Sequence, residues 1–207
     1  MFEGSPIYAQ PQPYIILDAA KNLLQRFRYY EGASYLEEMS SILASVNETG
    51  NIEITEGNTK LKVSISGDKA EVLWLYTENG VDFSPKSLSL VFENQVLKEL
   101  TDGWFLFTIG STEVKIASEE EAIEIARNSG EDFTWTADGV VVSDFNVLEE
   151  PVSAVFHPTL REQGLALVPY WEVTLYLDKV YPGGVNRIAV GVWADTGEVR
   201  RIRALSG

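Results

Sequence analysis

The sequence predicts an α+β protein made of two helix-on-antiparallel-sheet modules, and three observations predict it. Apolar residues recur at three- and four-residue spacing near the start, switch to a period of two after Asn51, and repeat that order from Ser118 onward. A length of 207 residues accommodates two domains of about 100 residues each. A hydrophobic content of 45% is that of a cored globular chain, well above the disordered range.

Met1 to Pro13 carries three prolines and no apolar run, so it reads as a disordered leader and neither as a signal core nor as a membrane span. Its abrupt start would also fit a chain from which a signal or anchor was removed. Tyr14 to Tyr30 reads as an amphipathic helix, with Ile16, Ala20, Leu23, Leu24 and Phe27 on one side and Asp18, Lys21, Gln25 and Arg28 on the other. Glu31-Gly32 breaks it. Ser34 is placed to cap a second helix with Glu37 as capping-box partner, and Leu36, Met39, Ile42, Leu43 and Val46 form its stripe. The turn-rich Asn47 to Asn51, which includes the sequon Asn47-Glu48-Thr49, ends the helical part.

Leu61, Val63 and Ile65 then alternate with polar residues, and Gly67-Asp68 turns the chain into Ala70 to Thr77. Asn79 to Pro85 reads as a loop, Leu88, Leu90 and Phe92 as a strand, and Asn94-Gln95 as a turn. Val96 to Leu100 and Trp104 to Ile109 complete an antiparallel meander. The order restarts at Ser118-Glu119-Glu120-Glu121, a capping box whose acids also suit a helix N-terminus. Ala122, Ile123, Ile125 and Ala126 face inward until Asn128-Ser129-Gly130 stops the helix. Strands follow at Phe133 to Thr136, Val140 to Val147 and Val152 to Phe156, and then a hairpin of Tyr170 to Val180 with Val185 to Asp195, ending in Glu198 to Leu205. The first module is thereby placed at residues 14–116 and the second at 117–207. The net charge of −15 divides into −7 up to Ala117 and −8 after it, so neither half is a charged tail.

Composition excludes whole classes of chemistry. A chain this acidic lacks the Lys and Arg excess of a general nucleic-acid binder. With no cysteine there is no disulfide, thiolate metal site or thiol nucleophile, and one histidine leaves little imidazole for metal or acid–base work. His157 precedes Pro158 at what reads as a strand exit, with no nucleophile elbow to serve, so it is taken as a loop residue. Asp195-Thr196-Gly197 matches the aspartic-protease triplet, but that chemistry needs two such carboxylates sharing a proton. A tight turn, with Asp bonding locally and Gly at positive φ, accounts for it. Glu37-Glu38, Glu119 to Glu121 and Glu149-Glu150 do not have the spacing of a calcium loop and read as solvated surface. Tyr181-Pro182-Gly183-Gly184 joins two strands, so it has no helix terminus with which to hold phosphate. No catalytic residue, metal or cofactor is assigned.

The last hairpin is the informative part. Alternation puts Trp171, Val173, Leu175 and Leu177 with Ile188, Val190 and Val192 on one face, the expected core under the helix. The other face carries Tyr170, Glu172, Thr174, Tyr176 and Asp178 with Ala189, Gly191 and Trp193. Its aromatic–polar mixture is the composition of interfaces, which makes Tyr170, Tyr176 and Trp193 the candidate binding residues. The competing reading buries this face under the first module or under a long Pro151 to Pro169 connection.

Ser118 to Ala126 (SEEEAIEIA), Trp171 to Leu175 (WEVTL) and Val192 to Val199 (VWADTGEV) together resemble the PepSY domain family over about the last 90 residues. In that family a capped helix with an Ala-Ile-x-Ile-Ala pattern precedes a Trp-x-Val strand and a hairpin ending in a Thr-Gly-Glu-Val-like turn. Here the spacer between helix and hairpin is long, and Asp195 directly precedes Thr196. The first half is related only through a faint internal repeat, in which Trp74 to Thr77 and Ser89 to Phe92 parallel Thr174 to Leu177 and Val190 to Trp193. The resemblance implies a cystatin-like arrangement and an extracytoplasmic, noncatalytic role: inhibiting or chaperoning a peptidase, or binding a cell-envelope protein. Membrane attachment would come only through an anchor outside this chain, and the oligomeric state is left open. Two other classes are carried with it, a hydrolase with paired carboxylates between the modules and a small-molecule pocket within a curved sheet.

Overall fold

The computed structural model describes residues 16–46, 50–161 and 164–207. The leader and the sequon lie outside these residues. The described residues divide into two compact units, the first running up to Glu78 and again over Asp82–Phe107, the second comprising Asn79–Val81 and Thr108–Gly207. It is α+β, with antiparallel sheets dominating.

In the first unit, α1 (Ile16–Glu31) and α2 (Tyr35–Ser45) bury the stripes expected of them, with Ala20, Leu24, Leu36, Met39, Ile42 and Leu43 fully enclosed. The cap of α2 departs from expectation. Ser34 is itself helical, a backbone conformation a capping residue does not have, and makes no side-chain cap, while Glu37 pairs with Arg28 at 2.7 Å. The sheet is a meander, β1 (Ile52–Glu56), β2 (Thr59–Ser66), β3 (Lys69–Glu78), β4 (Val81–Glu93) and β5 (Val96–Asp102), in that spatial order. Leu61 faces Trp74 and Val63 faces Val72 across β2 and β3, so one side of the pleat supplies a continuous apolar surface to the helices.

Two expectations change here. Asn79 to Pro85 is not a loop: Asn79 and Gly80, both at positive φ, make the turn alone, and Pro85 lies inside β4. Pro85 is tolerated because β5 pairs with β4 only from Leu88 onward, leaving one side of β4 open there. Trp104 to Phe107 is a turn. Gly103 donates to Ser87 O, a Cβ on it would sit 2.6 Å from Pro85 O, and Lys86 Nζ clamps the carbonyls of Trp104 and Phe107 at 2.6 and 2.8 Å. Burial of Lys86 pushes its ammonium below the ordinary lysine value.

The second unit begins at Thr108 rather than Ala117, since β6 (Thr108–Ile109) pairs in parallel with β10 (Ala166–Tyr181). The backbone N–H groups of Lys115 and Ile116 also donate to Ala194 O. α3 (Glu119–Gly130) starts with the expected capping box, Glu121 N to Ser118 Oγ at 3.2 Å and Ser118 N to Glu121 Oε2 at 3.4 Å. A small hairpin, β7 (Trp135–Ala137) with β8 (Val140–Val142), precedes the main sheet of β9 (Val147–Leu160), β10, β11 (Val185–Trp193) and β12 (Val199–Ser206). α3 lies on the face formed by Trp171, Val173, Leu175, Ile188, Val190 and Val192, the core face read from alternation. Its contact residues Ala122, Ala126 and Gly130 are small, which lets helix and sheet approach closely; a Cβ on Gly130 would lie 3.1 Å from Ile188.

The Pro151 to Pro169 segment is not a connection laid over the sheet. Pro151 to Leu160 belong to β9 and Ala166 to Pro169 to β10, which run antiparallel with Pro158 facing Pro169. His157 is therefore a strand residue opposite Tyr170 and not a loop residue. Prolines fit in β9 because it is an edge strand, where a missing N–H interrupts no ladder.

Candidate functional site

The candidate residues sit on the sheet of the second unit, on the face away from α3, where the register decides which of them meet. Tyr170 stands opposite Trp193, and their ring centroids are 5.1 Å apart at 62°. His157, opposite Tyr170 on the other side, meets it at 73° with ring centroids 5.5 Å apart. Tyr176 lies six residues along β10, about 20 Å away at a strand's rise, opposite Arg187. The structure thus brings two of the three candidates together and leaves the third apart.

Tyr170 and Trp193 are not exposed anchors. They are 2% and 6% exposed and form a small cluster with Val168. Three neighbours explain this burial. Gly191 has no side chain, so the Tyr170 ring lies flat on the strand; a Cβ there would sit 1.5 Å from Tyr170 Oη. The Arg161 guanidinium lies 4.5 Å above the Trp193 ring. Arg200 lies 5.0 Å from Trp193 and 5.8 Å from Tyr170, so two cations cover the pair. Arg200 can do so because β12 bulges between its pairings of Val199 with Val192 and Arg201 with Gly191.

Asp195 also differs from its expected part. The turn is there, closed by Gly197 N to Trp193 O at 2.8 Å with Gly197 at positive φ. Its carboxylate does not bond locally, however: it takes Arg161 Nη2 at 2.6 Å and is 8% exposed. Asp195 therefore holds Arg161 over Trp193. On the same face Arg203 meets Glu172 at 3.1 Å across the sheet. Arg201 stands opposite Gly191, and Arg203 opposite Ala189. Every arginine after Arg127 belongs to this face: Arg161, Arg187, Arg200, Arg201 and Arg203. In a chain of net charge −15 that is a local reversal of sign.

The arginines were the missed functional candidates. Those of β12 were legible, because Arg201 and Arg203 alternate with Ile202 and Ala204. Arg161 was not, since only the β9 to β10 pairing carries it to Trp193.

Elsewhere, among the described residues, no three His, Asp or Glu side chains gather as a metal-binding group, and no helix is long and apolar enough to cross a membrane. The carboxyls with perturbed acidity move down. At Asp82 burial pushes up, but bonds from Lys60, Thr77 and Lys62 outweigh it and hold the group below the usual carboxylate range. At Asp178 bonds from Tyr181 and Asn146 lower it. A general acid needs the opposite displacement.

No family model matches the chain, and no curated protein matches it. Among solved structures the chain is similar to the Bacillus megaterium YpeB C-terminal domain, at 13% identity and a TM-score of 0.30, over 96% of this chain and 68% of that one.

Proposed function

We propose that this chain is a noncatalytic, extracytoplasmic binding module that holds a protein or peptide, such as a peptidase or envelope protein, on the outer sheet face of its second unit. The observation that supports it is the guanidinium-capped aromatic pair, in which Tyr170 and Trp193 form a rigid platform and Arg161 and Arg200 lie upon it. Stacking on rings limits the conformational freedom of Arg200, so less entropy is lost when a partner takes its hydrogen bonds. The resemblance of Ser118 to Val199 to PepSY domains supports the same reading. Trp193 becomes a support for the contacting cations in place of the direct anchor expected from sequence, and Tyr176 is a peripheral residue.

Selection from a displayed random-peptide library tests this. Selected peptides should bind the wild-type chain, be recovered intact by mass spectrometry, and lose at least tenfold in affinity on R200Q/R201Q. Peptides held equally well by that variant, or cleaved by the wild type, would remove the reading.

A further inference from the structure

The ligand class follows from how charge is distributed on this face. Asp195 neutralises Arg161 and Glu172 neutralises Arg203, both through direct ion pairs. Arg187, Arg200 and Arg201 have no acidic partner among the described residues, although Arg187 reaches Ser206 O at 3.4 Å and its Nε is buried without a partner. The uncompensated charge is modest and lies on a strongly acidic molecule. A duplex or an anionic bilayer would face repulsion from the rest of the surface, whereas a short acidic segment would meet only this patch.

Spacing narrows the choice further. Arg201 and Arg203 leave the same side of β12 two residues apart, about 6.8 Å along the strand. That is also the interval between same-side residues of an extended peptide, so each guanidinium can face one carboxylate of an acid-x-acid sequence. Guanidinium and carboxylate are matched forks, which gives each pair two parallel hydrogen bonds.

Resting on the sheet-face reading above, we infer that the face of Arg187, Arg200, Arg201 and Arg203 is a docking surface for an extended acidic polypeptide with carboxylates at alternate positions. Glu172 is then a competitor: it occupies Arg203 until the ligand displaces it.

Fluorescence anisotropy with labelled peptides on the full chain tests this. The probes are a peptide of alternating Thr and Glu and its counterpart of alternating Thr and Gln. The Glu peptide should bind at least tenfold tighter than the Gln peptide, weaken about tenfold between 50 and 300 mM NaCl, and be lost in R201Q/R203Q. Glu172→Gln, which removes the competitor without touching the core, should tighten it severalfold. Equal binding of the Gln peptide at this face would overturn the acidic assignment and leave the sheet-face reading standing. An unaltered Glu peptide affinity in both variants would overturn the location. Preference for anionic vesicles or duplex DNA over the Glu peptide would overturn the polypeptide class.

Discussion

Gly191→Ala is the most demanding test of how the second unit is assembled. The position is not in a turn and its backbone is ordinary strand, so by propensity alone alanine should be neutral or stabilise by about 0.5–1 kcal/mol. The structure predicts the reverse. The new methyl carbon would lie 1.5 Å from Tyr170 Oη, 2.4 Å from Cζ and 3.0 Å from Cε2. Restoring ordinary contact needs a ring displacement of roughly 2 Å. Trp193 and His157 flank the ring and Arg200 lies above it, so a displacement of that size disturbs all three contacts. The ring must then swing toward water, and an aromatic side chain of about 150 Å² at 25 cal/mol per Å² sets an upper limit near 4 kcal/mol. Partial relaxation brings the expected cost to about 3 kcal/mol, or a drop of roughly 12–24 °C in the melting of a unit this size. Calorimetry would measure it, and the fluorescence of Trp193 should shift as its neighbour leaves. The second half of a mutant cycle isolates the cause: in a Tyr170→Val background, Gly191→Ala should cost nothing or stabilise. A wild-type background in which Gly191→Ala is harmless would refute the packing argument outright.

Three further predictions follow from particular contacts. Ser118→Ala should destabilise the second unit by about 1 kcal/mol by opening its capping box, whereas Ser34→Ala, at a position with no side-chain cap, should change stability little; paired denaturant titrations compare them. Arg161→Ala strands the buried Asp195 carboxylate and uncovers Trp193, so it should cost about 2–3 kcal/mol, discounted for the partly exposed guanidinium; Arg161→Ala/Asp195→Asn should recover part of that loss. Burial raises the pKa of Asp82, but bonds from Lys60, Thr77 and Lys62 outweigh it and hold the carboxyl below the usual carboxylate range. Its stabilising contribution should therefore be complete above the unfolded value of about 3.9 and be withdrawn as pH falls through the lower folded value. Asp82→Asn should flatten the acid side of the stability profile of the first unit without altering its slope above pH 6.

Periodicity determined a large part of this protein without any structure. The stripes of α1 and α2, the capping box at Ser118 and the inward face of β10 and β11 are local or near-local features, where the spacing of apolar residues alone specifies the buried side. Proline and histidine misled where strand position mattered. Pro85 closed an expected loop and Pro158 followed an expected strand exit, yet each lies on a stretch of strand with an open side, and whether a strand has a neighbour is a property of the whole sheet. The candidate site shows the same division. That Tyr170 and Trp193 share a face followed from alternation. That they are covered depended on Arg161 arriving from β9, a bulge delivering Arg200, and Asp195 reaching 34 residues back along the chain to hold Arg161. Which residues turn toward the core is therefore written in local spacing, whereas which outward residues are covered, and by what, is set by packing, because burial of an outward side chain depends on strands distant in sequence.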